Sequence, residues 1–273
     1  MIHEVYPIKM EGSQPHARLV TYIQDHSAEI GIDKRKLVLL CPGGAYAFTS
    51  DREAEAMALQ FLAMGYHAAV LRYSVTPAKY PTALLEVAKS VQIIREHADE
   101  WHVDADKIVV EGCSAGGHLA ASYCMFWRKP FIAKALGIAE KDVETVLKPN
   151  GMILSYPVIT GGEFAHRGSF QYLLGDKESE LVEEMSLEKQ VNQDVPPAFI
   201  WHTFTDDVVP VENSLLLVSA LRKENISTEF HMYPKGCHGL GLANELTVEA
   251  DGSAYEPDCS SWISLVKTWL KNL

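Results

Sequence analysis

Gly112-Cys113-Ser114-Ala115-Gly116-Gly117 follows an apolar run, Lys107-Ile108-Val109-Val110-Glu111, and precedes a helix-like run, His118-Leu119-Ala120-Ala121-Ser122-Tyr123. A strand that turns into a helix through Gly-x-Ser-x-Gly holds its serine at the tip of a strained turn, with the hydroxyl exposed. The positions two before and two after the serine have no room for a large side chain, and Gly112 and Gly116 meet that need. The helix that starts at Ser114 aims its positive end at the hydroxyl. The chemistry this suits is nucleophilic attack on a carbonyl. A serine hydroxyl is a weak nucleophile, so the chain must also supply a base, an acid to orient that base, and donors for the developing oxyanion. The motif alone also fits an ordinary glycine-rich turn, so the reading depends on those other parts.

Cys41-Pro42-Gly43-Gly44-Ala45-Tyr46 lies upstream, behind the apolar run Lys36–Cys41. Small residues there let backbone N–H groups approach a carbonyl oxygen. Gly44 and Ala45 are the expected donors, with the N–H of Ala115 as their partner. Tyr46, next along the loop, is the expected substrate contact. The acid should follow a later strand, and Asp206 and Asp207 compete for the role behind Ala198–Trp201. We favour Asp206; the other is expected to be structural. The base should follow the last strand, Thr228–Tyr233, which selects His238 in Lys235-Gly236-Cys237-His238-Gly239-Leu240. Its flanking glycines suit a mobile loop. His118 lies in the helix behind the serine and reads as a packing or hydrogen-bonding residue. His202 precedes the acid and is out of order. Ser114, Asp206 and His238 thus stand in the order Ser…Asp…His.

Several elements must position these groups. Strands are expected at Arg18–Ile23, Lys36–Cys41, His67–Tyr73, 107–111, Met152–Leu154, Ala198–Trp201 and Thr228–Tyr233. Ser50-Asp51-Arg52-Glu53 has the form of a capping box and opens a helix to about Met64. A long helix starts at Pro81, another spans Val211–Asn225, and a last one carries Trp262, Leu265, Val266, Trp269 and Leu270. Strand and helix alternate from residue 36 onward, which predicts an α/β fold: a mostly parallel sheet covered by helices on both faces. Sites in such sheets form at the C-terminal strand ends. Residues 161–194 are polar and rich in glutamate, and we expect them to form a small helical cap inserted in a single domain; the alternative is a solvated excursion far from the chemistry.

The 273 residues are 47% hydrophobic and 22% charged, enough for one large core. A net charge of −12 argues against nucleic acid and anionic membranes as partners. Five cysteines, an odd number with no C-x-x-C pair, suggest neither a zinc site nor a disulfide framework. Cys41, Cys113 and Cys237 adjoin the oxyanion loop, the serine and the histidine; we read them as packing residues rather than nucleophiles. The first residues lack the pattern of a signal peptide, and no apolar run approaches a membrane span, so a reducing cytoplasm is the expected setting. There is no Walker-type loop, no H-E-x-x-H and no dinucleotide fingerprint, so neither metal nor organic cofactor is expected. Homo-oligomerisation stays open.

Gly-Cys-Ser-Ala-Gly-Gly-His-Leu-Ala, Pro-Gly-Gly-Ala-Tyr, Asp-Asp-Val-Val-Pro-Val-Glu-Asn-Ser-Leu and Gly-Cys-His-Gly-Leu, in that set, resemble the bacterial α/β-hydrolases related to acetyl and acetylxylan esterases, akin to the hormone-sensitive-lipase-like group. The resemblance covers the chain from about residue 36. It implies the α/β-hydrolase fold and makes Asp206, three residues before Val209-Pro210, the triad acid. It implies a serine esterase acting on a small-molecule ester, with short acyl groups and acetylated carbohydrates as the substrate class. The family's loop usually reads His-Gly-Gly-Gly; here Pro42 replaces the histidine and Ala45 the third glycine. Two alternatives remain: a prolyl-oligopeptidase-type peptidase, for whose large gating domain 273 residues leave no room, and a ligand-binding protein on the same fold, which an intact set of motifs disfavours.

Overall fold

The computed structural model describes residues 1–273. The strands are β1 (Val5–Pro7), β2 (Arg18–Tyr22), β3 (Arg35–Cys41), β4 (His67–Arg72), β5 (Val103–Cys113), β6 (Gly151–Ser155), β7 (Ala198–Thr203) and β8 (Thr228–Tyr233). The helices are α1 (Glu55–Ala63), α2 (Thr82–Glu96), α3 (Ser114–Phe126), α4 (Pro130–Leu136), α5 (Val143–Leu147), α6 (Arg167–Leu174), α7 (Glu178–Leu181), α8 (Glu212–Lys223) and α9 (Trp262–Asn272). One eight-stranded sheet has the order β1-β2-β4-β3-β5-β6-β7-β8. The β1–β2 and β2–β4 pairs are antiparallel and every other pair is parallel. This is the α/β-hydrolase fold. No helix is long and apolar enough to cross a membrane.

The near-continuous apolar strands divide their residues between two cores, because successive side chains point to opposite faces. On β3, Leu37, Leu39 and Cys41 join one core, while Val38 and Leu40 join the other. The first core is closed by α2 to α6 and α8, through residues such as Leu84, Val91, Leu119, Phe170 and Leu217. The second is closed by α1 and α9, through Met57, Phe61, Trp262, Val266 and Trp269. Burial on both faces explains why these strands lack the polar alternation of a half-exposed sheet.

Two expectations change. β1 is an additional strand, a short edge piece whose residues are half-exposed or exposed. The Ser50–Glu53 stretch does not cap a helix: α1 begins at Glu55 and its N-cap, Ala54, makes no side-chain bond. Glu53 turns instead toward the loop behind β3, where its carboxylate accepts the Gly43 N–H. Asp51 pairs with Arg72 on β4.

Residues 161–194, which we expected to be a cap, contain α6, α7 and short 3-10 turns. They pack over the C-terminal end of the sheet on the α3 side. His118 Nε2–H on α3 donates to the Met185 carbonyl, and the Tyr80 N–H donates to the Leu173 carbonyl. Asn213 on α8 anchors the start of the segment. Its Oδ1 accepts the N–H groups of Ile159 and Thr160, and its Nδ2 donates to the carbonyls of Phe164 and Pro210.

Candidate active site

Ser114 closes the turn between β5 and α3 with φ of 54°, the left-handed region that strains a non-glycine residue. The neighbouring glycines show why the turn is so tight. A Cβ on Gly112 would lie 2.2 Å from the Gly116 carbonyl oxygen, and one on Gly116 would lie 2.0 Å from that of Cys41. Gly112 therefore makes room for the turn itself. Gly116 makes room for the loop behind β3, which passes directly over the start of α3.

From that turn a relay of short hydrogen bonds runs across the strand ends. Ser114 Oγ donates to His238 Nε2 at 2.7 Å. His238 Nδ1 donates to Asp206 Oδ2 at 2.7 Å. The other oxygen, Asp206 Oδ1, accepts the N–H groups of Val208 and Val209 at 3.1 and 2.9 Å. The Asp206 side chain is wholly buried. Burial alone would raise its pKa. The bonds from His202 and His238, the charge of His238 and the Val209 N–H outweigh that and hold the carboxyl well below the usual carboxylate range. Asp206 is therefore an anion at neutral pH, which fixes the His238 proton on Nδ1 and leaves Nε2 to accept from the serine. Asp207, its rival in the sequence, is exposed and makes no hydrogen bond to a histidine.

The loop behind β3 winds through successive positive φ angles at Gly44 (130°), Ala45 (55°) and Tyr46 (61°). A Cβ on Gly44 would lie 2.2 Å from the Phe48 carbonyl oxygen, so only glycine fits there. The Gly44 and Ala45 N–H groups have no acceptor in the protein, and both residues line one cleft with Ser114. Ala115, second residue of α3, has no intrahelical acceptor for its N–H either. Three unpaired donors thus stand near the serine hydroxyl.

Tyr46, expected at the substrate, lies elsewhere. It is 3% exposed, sits edge-on to His118, and donates its hydroxyl proton to His118 Nδ1 at 2.9 Å. The left-handed turn at Ala45 and Tyr46 swings the ring under the 161–194 segment rather than into the cleft. The histidine loop also differs from the mobile loop expected of its glycines. The Gly236 carbonyl accepts from Thr203 Oγ1 and Thr205 Oγ1, and the Gly239 carbonyl accepts from Arg52. These bonds tie the histidine to the acid loop and to the residues before α1.

The cleft holds about 560 Å³. Most of its lining residues are polar or glycine, with Ala45, Phe48 and Val208 apolar, although carbon makes up more of the exposed wall than polar atoms do. A hollow of about 660 Å³ at α4 and α5 is larger but contains none of these groups. Among possible metal ligands, His26, Asp33 and His102 place ligand atoms within 4.8 Å of one another. The two rings there stack in parallel at 3.9 Å, so their lone pairs do not converge on one ion.

The BD-FAE family model matches residues 28–221, most of the chain. The chain belongs to the BD-FAE family. It is 38% identical over 224 residues to an endo-1,4-beta-xylanase B of Butyrivibrio fibrisolvens, covering 78% of this chain and 33% of that protein. It is 28% identical over 208 residues to an acetylxylan esterase of Xylanibacter ruminicola, covering 74% and 40%. The chain thus spans a third to two fifths of the length of these relatives. Solved structures match over nearly their full length. An acetyl ester-xyloside bifunctional hydrolase from Caldicellulosiruptor lactoaceticus superposes with a TM-score of 0.80 at 35% identity, covering 94% of this chain and 88% of that one. The carboxylesterase Cest-2923 from Lactobacillus plantarum gives 0.83 at 26%, covering 100% and 98%.

In this BD-FAE chain, sequence reading passed over several residues around the site. His202, set aside for its place in the order, donates from Nε2 to Asp206 Oδ2 at 3.2 Å and to the Val209 carbonyl at 3.0 Å. Its Nδ1 accepts from Ser214 Oγ, which fixes that tautomer. Glu53 accepts from the Gly43 N–H at 2.8 Å and from the Tyr156 hydroxyl at 2.7 Å. Tyr156 Oη accepts the Gly241 N–H, and its ring stands edge-on to His238 at 5.2 Å. One carboxylate therefore joins the loop behind β3 to the histidine loop. Tyr156 follows β6 directly, at the same end of the sheet as the site, which was the available signal. Cys113 and Cys41 are fully buried thiols, and burial first, then the Glu111 charge, pushes both well above the ordinary thiol range.

Proposed function

We propose that the chain is a serine carboxylesterase that removes short acyl groups, acetyl foremost, from carbohydrate alcohols. The observation that carries this reading is the relay from Ser114 Oγ through His238 to the Asp206 anion, with bonds of 2.7 Å at both steps. The polar side chains lining the cleft suit a hydroxylated alcohol, and the relatives that act on xylan or xylosides point to the same class.

In this mechanism Ser114 Oγ attacks the ester carbonyl while His238 Nε2 takes its proton. The carbonyl oxygen becomes an oxyanion, met by the N–H groups of Ala115 and of Gly44 or Ala45. The imidazolium is stabilised by Asp206, whose two oxygens remain fully hydrogen-bonded. As the intermediate collapses, the C–O bond to the alcohol breaks and His238 returns its proton to the leaving oxygen. A water then attacks the acyl-enzyme while His238 takes its proton; the bond from the acyl carbon to Ser114 Oγ breaks, His238 returns the proton to Ser114 Oγ, and the acid leaves. No cofactor enters any step. Acetate release from acetylated xylo-oligosaccharides, followed by proton NMR, tests the reading. Steady release by the wild type and none by Ser114→Ala is expected. No release from these or any short acyl ester by the folded wild type contradicts it.

A further inference from the structure

His166 is the residue that the 161–194 segment contributes to the cleft, which it lines with Ser114 and His238. Its ring is held in one orientation and one tautomer. His166 is the N-cap of α6: Nδ1 accepts the Ser169 N–H at 3.3 Å and lies 2.8 Å from Ser169 Oγ. A nitrogen that accepts a backbone N–H carries no proton, so in the neutral ring the proton is on Nε2. Nε2 has no hydrogen-bond partner in the protein. Burial, and next the charge of His238, lower the His166 pKa, so the ring is a neutral donor at neutral pH. The charged residues on the cleft wall are already bound to protein groups. Arg52 holds the Thr247 and Gly239 carbonyls and Glu249, and Asp51 holds Arg72.

We propose that the His166 Nε2–H donates to a hydroxyl next to the scissile ester on the alcohol side, so that the site selects monoesters of vicinal diols. The inference rests on the esterase reading and adds the residue that reads the alcohol. His238 addresses the leaving oxygen itself. A second imidazole donor on the wall of the same cleft finds an acceptor on the alcohol only where the neighbouring carbon carries an oxygen. A simple alkyl ester leaves the donor facing water.

The test compares trans-2-hydroxycyclohexyl acetate with cyclohexyl acetate, in wild type and in His166→Asn. Asparagine is a good N-cap, so it keeps α6 closed while its shorter side chain withdraws the donor from the cleft. One neutral hydrogen bond predicts that kcat/KM of the wild type favours the hydroxylated ester by about three- to tenfold. In His166→Asn that ratio should fall to about one with Tm unchanged, the loss falling on the hydroxylated ester, since the bond to the hydroxyl is what the substitution removes. Equal losses on both esters would reveal a merely structural role and overturn the proposal. So would a ratio that survives the substitution, or a wild type without preference. Failure of the wild type to cleave either ester would instead remove the esterase reading and this inference with it.

Discussion

Glu111→Gln should make the protein's stability less sensitive to alkaline pH. Glu111 sits on β5, three residues before the serine, with its side chain fully buried. Burial drives its pKa from 4.5 to about 8; bonds from Cys113 Sγ and Ser155 Oγ oppose that, and the Glu53 charge adds to it. Its Oε1 accepts both bonds, while Oε2 has no partner. That asymmetry fits a neutral carboxyl with its proton on Oε2. The folded pKa lies above the unfolded one, so the folded state holds the proton through the window from about 4.5 to about 8 while the unfolded chain releases it. Stability is therefore lost as pH rises through that window and levels off above it. At 1.36 kcal/mol per unit, the complete loss is about 5 kcal/mol, of which about 2–3 kcal/mol falls between pH 6 and pH 9. Glutamine matches the shape and does not titrate. Urea denaturation of both proteins at pH 6, 7.5 and 9 reads the difference directly. Glu111→Gln should gain on the wild type by about 2–3 kcal/mol across that range. Parallel stability curves would refute the reasoning, because they would mean that Glu111 does not change its proton on folding.

Asp206→Asn should lower kcat by about 10³–10⁴, through loss of the tautomer that the anion fixes, while Asp207→Asn stays within about twofold; turnover of p-nitrophenyl acetate at neutral pH ranks them, and the reverse order would move the acid by one residue. Glu53→Ala leaves the Gly43 N–H and the Tyr156 hydroxyl without a buried acceptor. It should cost about 1–3 kcal/mol of stability per lost partner and lower kcat more than it raises KM, whereas Glu53→Gln, which still accepts from Gly43, should keep most of both. Matched calorimetry and kinetics separate the two variants. Acetyl esters should exceed octanoyl esters in kcat/KM, because Ala45, Phe48 and Val208 are the apolar residues of the cleft; a C2 to C12 p-nitrophenyl series checks this.

The site residues that could be read from sequence are those whose role depends on local backbone. Ser114 was legible because a buried strand, two obligatory glycines and a helix lie within a dozen residues. Asp206 and His238 were legible because each follows a parallel strand in the expected order. Where a role depends on distant partners, local pattern misled. Glu53 has capping-box spacing, yet its carboxylate is taken by Gly43 and by Tyr156, a residue that the chain alone does not place beside it. Tyr46 sits in the loop behind β3, next to Gly44 and Ala45, but two left-handed residues turn its ring toward His118. The edge strand β1 is too short, at three residues, to show any period. His166 lies in a segment legible only as polar, because its part in the cleft depends on how that segment folds back over the sheet.

The central claim is that Ser114 is the nucleophile, and labelling with a fluorophosphonate tests it most directly. Digestion and peptide mass spectrometry should place one adduct on Ser114, with loss of ester hydrolysis in proportion to labelling. Ser114→Ala should take no label and release no acid. An adduct on Cys113, or hydrolysis that persists in a folded Ser114→Ala protein, would contradict the account.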